Sequence, residues 1–216
     1  MAQKLALVSD FDGTISDNDF FYYITKRYFD EKALAPWRQY LSGKKKHFDA
    51  LNEMFQSLRV QESELKNFIK TIKLDKTFFP LAAYCQKNNI PVYICSAGCD
   101  YYINVLIKKE LKKYNLTLVT NRGEYSAKTG LTMFPNPLYK DENLGVSKVS
   151  LVKELKKNGY KVIYCGDGLP DILPAQSADK IFARKTLFEE CQKKHIKAEF
   201  LNTFDNVLQY ITEQQS

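Results

Sequence analysis

A chain of 216 residues is long enough to bury a full core and suggests one domain, or one domain carrying a small insertion. With 44% hydrophobic and 13% aromatic residues it is not expected to be disordered, and apolar runs of only a few residues exclude a membrane span. The net charge of +7 comes largely from lysine clusters at 44–46, 108–109, 112–113, 156–157 and 193–194, several closing predicted helices; without a nucleic-acid signature this argues against nucleic acid and for attraction of a small anion.

The first predicted element is a strand over 5–8. Leu5, Ala6, Leu7 and Val8 are apolar on both pleat faces, as in a strand covered by helices on both sides of a parallel sheet. It ends in Ser9-Asp10-Phe11-Asp12-Gly13-Thr14. Such sheets hold ligands at their strand C-termini, and residues two apart in an extended chain point the same way, so Asp10 and Asp12 are expected in one pocket. Two neighbouring carboxylates repel unless a cation or a shared proton intervenes. A hard cation such as Mg2+ takes carboxylates together with phosphate oxygens, and a spare carboxyl can move protons. Gly13 lets the backbone turn around a ligand, and Thr14 adds a hydroxyl donor. Taken alone, the same residues also fit a strand followed by a turn.

From 16 to 75 the only glycine is Gly43, and the periodicity is helical. Phe20, Tyr23, Ile24 and Tyr28 share one helical face; Phe48, Leu51, Met54, Phe55 and Leu58 share another. Ser63 ahead of Glu64 and Leu65 reads as the N-cap of a further helix. The dense aromatics read as bundle core. From 78 onward helices and strands alternate: a helix to 87 stopped by Asn88-Asn89, a strand over 90–95, then a polar loop Ser96-Ala97-Gly98 before an amphipathic helix with Ile103, Leu106, Ile107 and Leu111 on one face. The stretch 116–137 reads as a strand at Leu118-Val119-Thr120 plus a short β-pair, with turns at Asn121-Arg122-Gly123 and Thr129-Gly130. A helix over 151–157, a strand over 160–165 and the loop Gly166-Asp167-Gly168 follow. A last strand over 180–183 precedes helices near 185–194 and 204–213.

This alternation predicts an α/β fold, a doubly wound Rossmann-like parallel sheet. A hydroxyl and backbone N–H groups at a helix start form an anion site, the reading for Ser96, Ala97 and Gly98; ordinary capping is the alternative. Lys148 stands near a helix start, where a cation opposes the dipole unless an anion compensates it; otherwise it is a solvated surface lysine. Five cysteines in no C-x-x-C spacing fit reduced thiols and, with no signal-peptide core, a cytoplasmic location. The two histidines, His47 and His195, lie in no motif.

The order D-x-D-G-T at Asp10, Ser96 in Cys95-Ser96-Ala97-Gly98, Lys148, and Gly166-Asp167-Gly168 with Asp171 resembles the four motifs of the haloacid dehalogenase superfamily of aspartate-nucleophile phosphatases. The resemblance covers essentially the whole chain. It implies a catalytic core over 1–15 and 76–216 and a helical cap over 16–75. It also implies that Asp10 attacks phosphorus to form an aspartyl-phosphate, that Asp12 protonates the leaving group and then activates water, and that Lys148 stabilises the transferring group. Thr14, Ser96, Ala97 and Gly98 would hold phosphate. Mg2+ would be held by Asp10, Asp167 and the backbone carbonyl of Asp12, with Asp171 behind. The usual Gly-Asp-Gly-x-Asn-Asp is altered by Pro170, which removes one hydrogen-bonding side chain.

Within the superfamily the chain resembles the group containing phosphoserine phosphatase and the methionine-salvage phosphatase acting on 2-hydroxy-3-keto-5-methylthiopentenyl-1-phosphate. Phe182-Ala183-Arg184 and the aromatic-rich helix after Asp17-Asn18-Asp19 lean towards the latter. The arginine that grips the phosphoserine carboxylate has no match, Glu53 lying nearest. Asp19, nine residues after Asp10, and Glu53 are expected in the substrate site, disfavouring a second anion; the alternative is that one or both face water. The expected function is Mg2+-dependent hydrolysis of a small phosphorylated metabolite. A phosphate-binding protein without turnover is the alternative from another class, and binding alone does not need the Asp10–Asp12 pair.

Overall fold

The computed structural model describes residues 4–215. Strands β1 (Leu5–Ser9), β2 (Val92–Cys99), β3 (Thr117–Ser126), β4 (Gly130–Phe134), β5 (Lys161–Gly166), β6 (Lys180–Ala183) and β7 (Glu199–Phe200) form one sheet in the order β4-β3-β2-β1-β5-β6-β7. Every pairing is parallel except β3 with β4. The chain builds outward from β1 on one side, then returns to build outward on the other. β1 therefore lies at the switch point, where open α/β sheets leave a crevice beyond the strand ends.

The unbroken apolar run of β1 has the cause expected of it. Leu5 and Leu7 pack towards α5 (Phe78–Lys87) and α10 (Asp205–Gln215) through Leu81, Cys85, Val207 and Ile211. Ala6 and Val8 pack on the opposite face with α7 (Lys148–Lys157), α8 (Ile172–Ser177) and α9 (Lys185–Lys193), through Leu151, Val152, Ala175 and Leu187. Between β1 and α5 the chain inserts α1 (Phe20–Tyr28), α2 (Ala35–Leu41), α3 (His47–Gln56) and α4 (Glu62–Ile69). A two-stranded neck joins the insertion to the sheet: Ser16 bridges Leu74, Asp17 N donates to Lys73 O (3.1 Å) and Asp75 N to Ile15 O (2.8 Å). The insertion also rests on the β3–β4 hairpin, where Asn52 Oδ1 accepts Met133 N–H (2.8 Å) and Tyr125 OH donates to Val60 O (2.6 Å).

Several local expectations are corrected. α4 starts from Gln61 in an extended conformation, so Ser63 lies inside the first turn with Glu62 and Glu64, whose charges suit the helix N-terminus. Ser96-Ala97-Gly98 belongs to β2, which continues to Cys99 through a shift in register against β3; Thr120 Oγ1 fixes this irregularity by bonding to Ser96 O and Gly98 O, both at 2.9 Å. α6 (Asp100–Lys113) kinks at Ile107 (φ −134°, ψ 20°), so Tyr102, Ile103 and Ile107 are buried while Leu106 and Leu111 are only partly so. The turn at Asn121-Arg122-Gly123 is continuous strand: β3 pairs with β2 in its first half and with β4 in its second. β7 and the 3-10 turn Leu169–Asp171 were not anticipated. All five cysteines are buried and unpaired, and no described helix is long and apolar enough to cross a membrane.

Asn121 shows why a polar residue sits in mid-strand. Its fully buried amide donates to Ala97 O (2.9 Å) and Leu144 O (3.0 Å), joining the irregular end of β2 to the segment leading into α7. Asn121→Leu should therefore strand two buried carbonyls and lower stability by about 2 to 4 kcal/mol, read from urea unfolding midpoints. A loss under about 0.5 kcal/mol would show that the clasp is dispensable.

Candidate active site

Beyond the C-terminal ends of β1, β2 and β5 lies a cavity of about 420 Å³. The ladder continues for one residue past β1, Asp10 N donating to Cys165 O (2.8 Å). The chain then turns tightly, with the N–H groups of Thr14, Ile15 and Ser16 converging on Phe11 O. Gly13 occupies the left-handed region (φ +73°), and a Cβ there would stand 2.1 Å from Asp167 Oδ2, so only glycine admits this close approach. The turn aims Asp10 and Asp12 into the cavity and Thr14 away from it. Thr14 is fully buried and lies outside the cavity wall, its hydroxyl 3.4 Å from Asp167 Oδ1.

Lys148 is the first residue of α7, a helix capped by Ser147, whose Oγ accepts Ser150 N–H (3.2 Å). Its ammonium is buried between Asp10 Oδ1 (2.7 Å) and Asp171 Oδ1 (2.6 Å). Desolvation disfavours that charge, but Asp10 and Asp171 more than offset it and hold the lysine protonated. Asp171 is saturated: Oδ1 also accepts Tyr164 OH (2.6 Å), and Oδ2 accepts the N–H groups of Asp167 (3.1 Å) and Gly168 (3.0 Å). Burial, then Asp171, push the Asp10 carboxyl well above its ordinary value in spite of Lys148. Among the described residues none donates a hydrogen bond to Asp10 Oδ2, the oxygen left available to a ligand.

Asp12 is held on both oxygens. Oδ1 accepts Phe20 N–H (2.9 Å), and Oδ2 accepts Ser96 OH (2.9 Å) and Tyr102 OH (2.5 Å). Burial raises its pKa, opposed by Tyr102, the Phe20 amide and Ser96, so its carboxyl holds a proton more readily than an ordinary one. Ser96, Ala97 and Gly98 line the cavity, but the Ser96 hydroxyl is given to Asp12 and accepts the Gly98 N–H (2.9 Å).

Single oxygens of Asp10, Asp167 and Asp171 lie within 4.8 Å of one another. Burial and then Asp171 raise Asp167, while Lys185 lowers it from 3.1 Å. Crowded, buried, all-oxygen donors, with Asp10 and Asp167 raised in pKa, are the chemistry that a hard divalent cation relieves. The residues present therefore fit Mg2+ better than zinc, which prefers nitrogen and sulfur.

The insertion supplies the opposite wall. Asp19, just before α1, reaches the cavity, and burial followed by Asp12 and Asp167 raises its pKa to about 7. Glu53 does not reach it: its side chain is 57% exposed and paired with Lys45 on the outer side of α3. In its place stand Phe21, Trp37, Tyr40, His47 and Phe55. Trp37 and Tyr40 pack edge-on against His47 at ring distances of 5.6 and 5.2 Å, and burial, then Lys148, lower the histidine to about 4. Sequence reasoning missed this wall, together with Tyr102, Tyr164 and Lys185. The alternation of β5 could have pointed Tyr164 at the Lys148 side; nothing in the sequence marks Lys185.

Comparisons agree on the kind of protein. A 2-hydroxy-3-keto-5-methylthiopentenyl-1-phosphate phosphatase of Bacillus cereus (strain AH187) is 26% identical over 208 residues, covering 94% of each chain. A substrate-bound phosphoserine phosphatase complex superposes with a TM-score of 0.70 at 18% identity, over 97% of this chain and 99% of that one. A phospho-aspartyl intermediate analogue of phosphoserine phosphatase gives 0.69 at 19% identity, over 96% and 99%. The model of the haloacid dehalogenase-like hydrolases matches residues 7–175, which include Asp10, Asp12, Lys148, Asp167 and Asp171, and the chain belongs to that family.

Proposed function

We propose that this hydrolase is a Mg2+-dependent phosphomonoesterase working through an aspartyl-phosphate on Asp10, with 16–75 acting as a cap over a core of 1–15 and 76–216. The observation that carries the reading is the division of labour between two buried carboxyls. Asp10 is paired with Lys148 and keeps one oxygen without a donor; Asp12 is fixed by three donors and its pKa is raised. Asp10 Oδ2 attacks phosphorus as the bond to the leaving oxygen breaks, and Asp12 gives that oxygen its proton. Asp12 then takes a proton from water, which attacks phosphorus, breaks the bond to Asp10 and frees phosphate. Lys148 favours the ionised form of Asp10 against its burial and offsets the charge of the transferring group. Asp10, Asp167 and the Asp12 carbonyl would hold Mg2+, with Asp171 fixing the loop beneath; the ion would supply Lewis-acid stabilisation of phosphoryl charge. A binding protein without turnover has no use for a proton-carrying Asp12 beside a nucleophile.

The cap wall bears on the substrate. Its aromatic rings and neutral His47 offer no cation to a carboxylate, and the lysines lining the cavity, Lys148 and Lys185, both come from the core. This supports a phosphomonoester with an uncharged, partly apolar remainder, the type acted on by the named Bacillus relatives. The phosphoserine reading draws on the fold likeness and on Asp19, which could take an ammonium group. A small cytoplasmic metabolite is the expected partner in either case.

Asp10→Asn should abolish turnover while the protein stays folded by circular dichroism; near-normal phosphate release would remove the nucleophile from the scheme. Asp12→Asn should slow alkyl phosphates by roughly 100-fold or more, and p-nitrophenyl phosphate much less in the first step, because a good leaving group needs no proton. Equal slowing for both would refute the proton-donor role. For specificity, kcat/KM should be higher for 2-hydroxy-3-keto-5-methylthiopentenyl-1-phosphate than for phosphoserine, and phosphoethanolamine should also exceed phosphoserine. A preference for phosphoserine overturns this reading of the cap.

His47 sets a pH dependence of stability. Its folded pKa of about 4 lies below the ordinary value of 6.5, so between these pH values the unfolded chain binds a proton that the folded one refuses. Its contribution is present above pH 6.5 and is lost as pH falls through the folded pKa, on the order of 1 to 3 kcal/mol. His47→Phe should therefore lose less stability than the unmutated protein between pH 7 and 4.5, in urea midpoints. Parallel losses would show that this histidine is not buried neutral.

A further inference from the structure

Four described residues other than glycine have positive φ, and three have an ordinary reason. Asn89, Asn115 and His195 follow the C-caps of α5, α6 and α9, where a left-handed residue is a common way to stop a helix. Lys185 is the fourth, at φ +49°, and it stands at the first residue of α9 rather than past an end. A left-handed lysine is unfavourable unless its surroundings hold it.

The side chain shows what holds it. Nζ donates to Gly13 O (3.1 Å) and Asp17 O (3.2 Å) and stands 3.1 Å from Asp167 Oδ2. An ammonium has three N–H groups, and the chain supplies three acceptors, so Lys185 is not a spare cation for the phosphate of a substrate. It joins the turn after Asp10, the segment entering the cap and one of the crowded acids. The other cation of the site, Lys148, is occupied by Asp10 and Asp171. Asp167 thus receives its compensating charge from Lys185.

We propose that Lys185 is a built-in counter-cation for Asp167: it stabilises the acid cluster when no divalent ion is bound and lowers the affinity for that ion by competing for the same carboxylate. It is a positioning residue, acting through Asp167 and the turn at Gly13. The proposal rests on the divalent-metal reading of the site. A positive charge beside a ligand oxygen repels an incoming dication and stabilises the empty state, so its removal must shift both quantities in opposite directions.

The test is calorimetric titration of Mg2+ into the metal-free full-length protein, with thermal melts in chelator and in saturating Mg2+. Lys185→Met should bind Mg2+ about tenfold tighter, melt lower than the unmutated protein in chelator, and gain more from Mg2+. Lys185→Arg, which keeps the charge, should stay near the unmutated affinity. Lys185→Gly should also tighten binding while losing less metal-free stability than Lys185→Met, because glycine accepts positive φ. A merely structural lysine would lower the melting temperature without tightening the metal. Unchanged or weaker Mg2+ binding in folded Lys185→Met or Lys185→Gly overturns the proposal while leaving the metal reading intact. If none of the proteins binds Mg2+, the metal reading falls and the proposal falls with it.

Discussion

The buried ammonium of Lys148 between Asp10 and Asp171 is the interaction on which the site depends. Burying an ion is unfavourable by several kcal/mol unless partners and hydrogen bonds compensate it. Here one cation faces Asp10 and Asp171 directly, with Asp12 and Asp167 close by, and its place in the first turn of α7 sets it against the helix dipole. Nothing local favours a lysine there. Only the convergence of β1, β5 and α7 at the switch point does so, and this ties the chemistry to the topology. Tyr164 and two backbone amides complete the coordination of Asp171, so the lysine is aimed by groups that cannot themselves move without breaking β5 or the loop after it.

The same economy couples the insertion to catalysis. Asp12 takes one hydrogen bond from the amide of Phe20, which opens α1, and another from Tyr102, in the first turn of α6. The rings of Phe20 and Tyr102 stack with centroids 4.1 Å apart, and Phe20 meets Phe55 edge-on at 5.5 Å. A shift of the insertion on its neck therefore moves the amide that orients the Asp12 carboxyl. The aromatic wall of the cavity and the Asp12 carboxyl are parts of one packed unit.

Much of this was legible in the sequence because it follows from strand ends. Asp10, Asp12, Ser96 and Asp167 reach one cavity, since parallel strands deliver their C-terminal residues to the same side of the sheet, and Lys148 reaches it from the start of α7. Glu53 was misplaced although the helical period could have warned against it: on α3 the apolar face runs through Phe48, Leu51 and Phe55, and Glu53 lies off that face. Thr14 was misplaced because three amides converging on Phe11 O tighten the turn and swing its hydroxyl inward. The aromatics of the insertion were expected as bundle core. Phe20 and Phe55 are buried in the core where it meets the cavity, but Trp37, Tyr40 and His47 are less buried and line the cavity, and apolar periodicity is the same whether a face meets side chains or an empty pocket. Lys185 depends on a left-handed backbone angle and three tertiary acceptors, which no local pattern encodes.

Pro170 illustrates how a departure from the usual motif is absorbed. A proline in the first turn of a helical segment gives up an N–H that has no partner within that turn, and its fixed φ favours the turn itself. The loop does not need a side chain at that position to hold its shape, because Asp171 bonds the amides of Asp167 and Gly168 and its own N–H returns to Gly168 O (3.1 Å). What the proline removes is a polar group at the cavity rim. Leu169, Pro170 and Leu41 line the same cavity as the aromatic residues of the insertion. The cavity thus sets apolar and aromatic side chains of the insertion and of the loop after β5 against the charged strand ends, with Asp19 the acid that the insertion adds. Such a separation rewards loss of water at the rings and penalises the burial of a charge beside them.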